Sequence, residues 1–228
     1  MIAAVALVIM TKLPAPGQSK TRLVPPLTYE DAAALARALL LDQLVNLACF
    51  DDAQLCLTFA PDDARDAVRA LAPPVFELFP QRGDDLGARM ASAFDHLFAQ
   101  GCKRVVLIGS DLPVLPQEIF TEAFEHLSSD SPHAVFGPSA DGGYYLVGLN
   151  RPMPAIFQGV IWSCPDVLQR TCERLFALEI PYKFLPDWYD IDTIEDLRRL
   201  ALEAVPPTPD TMKNTSILLR QFRQKGVL

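Results

Sequence analysis

Short apolar runs, often rich in β-branched residues, alternate along this chain with longer stretches of helical period. That alternation is what most restricts the fold. Each such element must bury one face, and alternating strands and helices do so as a mainly parallel sheet with helices packed on it. The candidate strands are 2–9, 54–59, 75–79, 104–108, 134–137, 144–148 and 182–185, and the candidate helices are 29–48, 62–71, 86–99, 117–128, 165–177 and 194–204. The expected class is α/β, a three-layer α/β/α domain around a mainly parallel, Rossmann-like sheet. Thr28, followed by Asp31, has the look of a capping box, and Leu35, Leu39 and Leu47 with Ala36 place apolar groups on one helical face. Pro165 suits a first helical position. The domain is expected to span 1–204. "VPPTPD" then reads as a linker and "SILLRQFRQKGVL" as a short amphipathic tail, so 205–228 form an appendage. A helix that short is marginal alone, so it is expected to dock on its own domain or on a second copy of the chain, as in a homo-oligomer.

Composition narrows the function classes. The chain has 228 residues and a formal charge of −8, which argues against a nucleic-acid binder with a broad basic face. No stretch approaches the ~20 apolar residues of a membrane span. The first apolar run lacks a basic leader and an A-x-A site, so a soluble, cytoplasmic protein is expected. Five cysteines without a CxxC pair fit reduced thiols, and no histidine pairs with a cysteine at zinc-ligand spacing.

An acidic chain nevertheless gathers three cations, Lys12, Lys20 and Arg22, in "TKLPAPGQSKTRL", directly after the first apolar run. In parallel α/β sheets ligands bind beyond the carboxyl ends of strands. Gly17 permits close backbone approach, and the three cations suit phosphate oxygens, Arg22 in a bidentate manner. A P-loop needs glycines where this chain has Ser19 and Pro14, so that motif fails. The plain alternative is a solvated basic turn.

Carboxylates supply the complement. "RVVLIGSDLPVLP" ends a buried strand at Ser110-Asp111, where Asp111 either serves a site or merely satisfies the turn. In "WYDIDTIEDLRRL", an extended backbone puts Asp190 and Asp192 on one side. Their repulsion is on the order of 1–4 kcal/mol at ~4 Å, and a bound cation such as Mg²⁺ (or Mn²⁺) removes it. Helix capping explains Thr193 and Asp196 but not that pair. Gly83, Asp85 and Gly87 in "QRGDDLGARM" suit a base or ribose, with Asp84 or Asp85 equally a helix cap. Asp141, Gly142 and Gly143 read first as a tight turn, with Tyr144 beside it, and Ser163 as a helix cap. The same four residues, Asp141, Gly142, Gly143 and Ser163, are the candidates for acceptor binding.

With these motifs in order, the chain resembles a bacterial member of the nucleotide-diphospho-sugar transferase superfamily. The likeness spans roughly residues 5 to 200 through "KLPAPGQSKTRL", "GDDLGARM", "IGSDLPVL", "GPSADGGYYLVGL", "WSCPDVL" and "YDIDTIEDL". The nearest resemblance is to selenodomain-associated transferases, also described as arsenosugar-biosynthesis glycosyltransferases. Phospholactate and molybdenum-cofactor guanylyltransferases are related. The resemblance implies a GT-A-type fold, Lys20 and Arg22 at phosphates, and Asp111, Asp190 and Asp192 at Mg²⁺. Ile194 stands where many members have proline and Cys164 where threonine is usual. The loop also lacks the "GG" of the molybdenum-cofactor enzymes, so base recognition does not carry over.

The expected function is a Mg²⁺-dependent transferase acting on an activated nucleotide, with a small-molecule acceptor. Nucleotidyl transfer from a nucleoside triphosphate, with Lys20, Arg22 and Asp111 as the catalytic groups, is favoured by the cation-rich loop. Glycosyl transfer from a nucleotide sugar is the close alternative. A non-catalytic nucleotide-binding or assembly protein on the same fold is the third.

Overall fold

The computed structural model describes residues 4–162, 164–203 and 210–228. Its strands are β1 (Val5–Lys12), β2 (Gln54–Ala60), β3 (Glu77–Pro80), β4 (Arg104–Gly109), β5 (Ala134–Pro138), β6 (Tyr144–Leu149) and β7 (Tyr182–Phe184). The α-helices are α1 (Tyr29–Leu47), α2 (Arg65–Arg69), α3 (Leu86–Ala99), α4 (Gln117–His126), α5 (Val167–Ala177), α6 (Ile194–Glu203) and α7 (Lys213–Gln224). One sheet runs in the order β3-β2-β1-β4-β6-β5-β7. Every neighbouring pair is parallel except those involving β6, which is antiparallel to β4 and to β5. This is the expected three-layer α/β/α architecture with a mixed, mainly parallel sheet.

β1 is central because it is apolar on both faces. Side chains alternate along it, so Leu7 and Ile9 join Leu40 and Leu44 of α1 in one layer, while Ala6 and Val8 join Phe94 and Leu97 of α3 in the other. Thr28 caps α1, its Oγ1 accepting from Asp31 N at 3.1 Å. The return half of the box is not made by Asp31, whose carboxylate pairs with Lys225 at 2.7 Å.

Some boundaries differ from expectation. β1 continues past Ile9 to Lys12, because Thr11 and Lys12 keep their parallel register with Phe59 and Ala60. Lys12 therefore sits on the strand's end, not in the loop. Segment 62–71 divides into a 3-10 turn over Asp62–Ala64 and the five-residue α2. Pro165 precedes α5 instead of starting it, and Asp166 holds the cap position. Between β5 and β6 only Gly142 has positive φ, at 88°.

The tail packs on its own chain. Leu219 and Phe222 of α7 are buried with Leu35, Leu39, Leu197 and Leu200 of α1 and α6. Burying two such side chains contributes roughly 1.5–3 kcal/mol each. The first turn of α7 is capped from outside: the buried Asp42 carboxylate of α1 accepts from Asn214 N (2.9 Å), Asn214 Nδ2 (2.8 Å) and Thr215 N (2.8 Å). The expected linker lies almost wholly outside the described residues. Among the described residues no helix is long and apolar enough to cross a membrane.

Candidate active site

The order β3-β2-β1-β4 places a topological switch between β1 and β4, since the chain builds outward from them in opposite directions. A crevice opens beyond the carboxyl ends of strands at such a point. Here it is a cavity of about 730 Å³, reached by the ends of β1 and β4, the 14–22 loop, the start of α3, Tyr144 and Tyr145 of β6, and the Asp190–Asp192 segment.

Local structure explains how distant residues meet. After β1, Gln18 N and Ser19 N both donate to Ala15 O, a turn in which Gly17 takes φ 74°. Lys20 follows in the left-handed region, with φ 49°. Its side chain turns inward, only 4% exposed. On the other side, Ile191 N donates to Asp111 O at 3.0 Å, which ties the end of β4 to the late acidic segment. Ile191 is buried among the side chains of α1, α6 and α7. Asp190 and Asp192 flank it and line the cavity.

Lys20 is the hub. Its Nζ donates to Asp192 Oδ1 at 2.8 Å and to Asp111 Oδ2 at 3.1 Å. Burial alone would lower the ammonium's pKa, but the Asp111 and Asp192 charges and their hydrogen bonds outweigh it and raise it. Arg22 Nη1 approaches Asp192 Oδ2 at 3.5 Å while staying 70% exposed. Asp190 makes no pair with Lys20; its Oδ2 accepts from Ser139 Oγ at 2.9 Å. Burial first, and then the Asp111 charge, push the Asp190 carboxyl up to about 7, against the Ser139 hydrogen bond and the Lys20 charge, with Asp141 adding to the rise. Helix capping does not compete for the pair. Asp196 Oδ2 accepts from Thr193 N at 2.8 Å, and Thr193 Oγ1 accepts from Asp196 N at 3.2 Å.

Lys12 and Asp85 line the cavity. Asp85 also caps α3, its Oδ1 accepting from Ala88 N at 2.8 Å. Gly83, Gly87 and Gly142 are accounted for by the protein itself. A Cβ at Gly83 would lie 2.7 Å from Ala88, at Gly87 2.4 Å from the Trp162 ring, and at Gly142 1.9 Å from Pro165 O. Gly142 O also accepts from Leu168 N at 3.0 Å, anchoring the β5–β6 turn to α5. Asp141 closes that turn, its Oδ1 accepting from Gly143 N at 3.0 Å. Gly17 has open space around it. Ser163 lies outside the described residues.

Three further residues were not expected from sequence. Ser139 holds Asp190, yet 51 positions separate them and nothing in "GPSADGG" announces that bond. Gln81 lines the cavity, its Nε2 donating to Thr11 O at 2.9 Å and to Thr58 O at 3.3 Å. Arg89 lines it too, with Nε donating to Gly83 O at 3.0 Å. The Arg89 signal was available, since it lies one turn beyond the Asp85 cap and so shares its face. Among the described residues, no three or more His, Cys, Asp or Glu side chains converge in a ready-made metal cage.

No curated protein matches the sequence. Among solved structures, the fold superimposes with a TM-score of 0.86 on a protein of Desulfovibrio desulfuricans G20 named as a candidate nucleotide-diphospho-sugar transferase. The two are 33% identical over 97% of this chain and 99% of that one. A cytidylyltransferase from Leptospira borgpetersenii matches at TM-score 0.60 and 13% identity, over 98% of this chain and 95% of that one. A mannosyltransferase from Pyrobaculum calidifontis, solved with GDP-mannose and Mn²⁺, matches at 0.50 and 13%, over 96% and 70%. The last two show a shared fold alone. A family model matches residues 41–164, and the chain belongs to that family, DUF2064, described as uncharacterized proteins conserved in bacteria.

Proposed function

We propose that the protein is a transferase acting on an activated nucleotide, and that its reaction is nucleotidyl transfer from a nucleoside triphosphate to a small phosphorylated or hydroxyl acceptor. The observation that carries this reading is the Lys20 hub. Three cations from the β1 end and three carboxylates from two distant segments line one cavity at the sheet's switch point. A polyphosphate with a divalent cation is the ligand whose charges answer both sets.

The residues fit a divalent cation in chemistry. Asp111, Asp190 and Asp192 are hard oxygen donors on one cavity, and among the described residues Asp190 has no cationic partner of its own. A preformed cage is not required, because Mg²⁺ is ordinarily held by one or two carboxylates together with substrate phosphates. Asp111, Asp190 and Asp192 would hold it, and when bound it supplies Lewis-acid neutralisation of phosphate charge. Lys12, Lys20 and Arg22 contribute positive charge toward the departing pyrophosphate oxygens, where stabilisation of developing charge matters most. The acceptor oxygen forms its bond to the α-phosphorus as the bond to the β-bridging oxygen breaks in line. Alignment of the two partners in this cavity, which Tyr144 and Tyr145 also line, is what the reaction requires of the protein.

Glycosyl transfer from a nucleotide sugar is a second reading, favoured by the designation of the 33% identical relative and by the resemblance to arsenosugar-biosynthesis glycosyltransferases. The same cations would then neutralise a diphosphate leaving group. A thermal-stability panel of the four nucleoside triphosphates and common nucleotide sugars, with Mg²⁺ or Mn²⁺, separates the readings. Stabilisation by a triphosphate, with label exchange from pyrophosphate, supports the first. Stabilisation by a nucleotide sugar with slow sugar release supports the second. Binding without turnover points to a nucleotide sensor, and no stabilisation by any of them refutes the site.

A further inference from the structure

Lys20 cannot serve two sets of partners at once. In the structure its ammonium lies between Asp111 and Asp192, 4% exposed, with Nζ–O distances of 3.1 and 2.8 Å. A phosphate-binding lysine would instead direct that ammonium into the cavity. A divalent cation bound to the same two carboxylates would have to take its place, since two cations on one pair of oxygens repel. Resting on the nucleotide reading above, we propose that Lys20 is an internal counter-cation that orders binding: the divalent cation enters between Asp111 and Asp192 only when a polyphosphate draws the Lys20 ammonium away.

The loop is built for such an exchange. Lys20 sits in the left-handed region, at φ 49° and ψ 38°, which disfavours a residue bearing a Cβ. The two ion pairs and the following 3-10 turn over Thr21–Leu23 hold it there. Giving up those pairs for phosphate oxygens leaves the backbone free to relax. Arg22, already 3.5 Å from Asp192 and mostly exposed, is placed to follow the same polyphosphate. Until that ligand arrives the Asp111 and Asp192 charges are met internally, and the free protein has little affinity for metal.

The test uses Mn²⁺ alone, followed by electron paramagnetic resonance, on the wild type, Lys20→Gln and Lys20→Arg. Removing one like charge from the metal position predicts Mn²⁺ binding to Lys20→Gln on the order of tenfold or more tighter than to the wild type. Lys20→Arg keeps the charge and is expected to bind as weakly as the wild type. Equal Mn²⁺ affinity in wild type and Lys20→Gln overturns the proposal, as does failure of a folded Lys20→Gln to bind. A second measurement needs no variant that might misfold. In ¹⁵N spectra of the wild type, the ion-paired Lys20 ammonium is expected to stay in place with Mg²⁺ alone and to move when inorganic tripolyphosphate is added with it. Movement with Mg²⁺ alone, or none with both, overturns the ordering. Tighter Mn²⁺ binding by Lys20→Gln would stand even if no nucleotide were ever turned over. A wild type that binds Mn²⁺ freely would remove the counter-cation and leave the nucleotide reading intact.

Discussion

Replacing Asp190 with asparagine isolates the half-buried carboxylate that makes no ion pair of its own among the described residues. Asparagine has nearly the same shape and keeps an oxygen to accept from Ser139, but it cannot ionise. The Asp190 carboxyl is pushed up to about 7 in the folded chain, whereas an aspartate in an unfolded chain titrates near ~3.9. A raised pKa means the folded state holds the proton more tightly. The resulting stabilisation is therefore complete below the unfolded value and lost as pH rises through about 7. Between about pH 5.5 and about pH 8.5 the loss is roughly 2 kcal/mol, from ~1.5 pH units below the folded pKa at ~1.4 kcal/mol each. For a chain of this size that is roughly 4–8 °C in Tm. Urea and thermal unfolding of wild type and Asp190→Asn, with chelator present, measure it as a double difference in which titrating groups distant from Asp190 cancel. The wild type is expected to lose about 2 kcal/mol relative to the variant on going to the higher pH. A wild-type-minus-variant difference that is the same at both pH values would refute the half-buried, unmatched charge.

Asp42→Ala leaves the three N–H donors at the start of α7 without their acceptor and should cost about 2–4 kcal/mol in denaturant unfolding. Faster amide exchange across Lys213–Gln224 should accompany it; unchanged exchange there would contradict the capping role. Gly142→Ala should destabilise by more than about 2 kcal/mol, since its Cβ meets Pro165 O and its φ is positive. Gly17→Ala, with open space around it, should cost only about 1 kcal/mol by the same unfolding assay. Asp192→Asn should weaken stabilisation by Mg²⁺ with a triphosphate about tenfold or more in the thermal panel, because it removes one of the two carboxylates at the hub.

Much of this fold is legible in the sequence because burial dictates it. "AVALVI" is apolar on both faces and can only be a central strand, and the helix at Thr28 begins where its cap residue stands. The errors fall where hydrophobic pattern stops informing. Thr11 and Lys12 extend β1 by backbone pairing that polar side chains do not advertise. The tight turn read at Asp141–Gly143 does reverse the chain between β5 and β6, but its anchoring by Gly142 against α5 and the pairing of β6 with β4 are tertiary contacts that the turn residues do not announce. At the site, the chemistry of Lys20, Asp111, Asp190 and Asp192 could be read from residue type and strand ends, and the structure brings all four to one cavity. Their pairing could not be read. Whether a cation faces phosphate or carboxylate depends on a single left-handed residue, and Ser139 reaches Asp190 only through the alignment of Ser139 with Trp188.

Anomalous diffraction at the manganese edge, from crystals grown with Mn²⁺ and the triphosphate that most stabilises the protein, would locate the polyphosphate–metal site proposed between the Lys20 loop and the three carboxylates. A manganese peak is expected between Asp111 and Asp192, with Lys20 Nζ moved onto phosphate oxygens. A manganese peak away from those carboxylates, or phosphates bound elsewhere while Lys20 keeps both ion pairs, would contradict it.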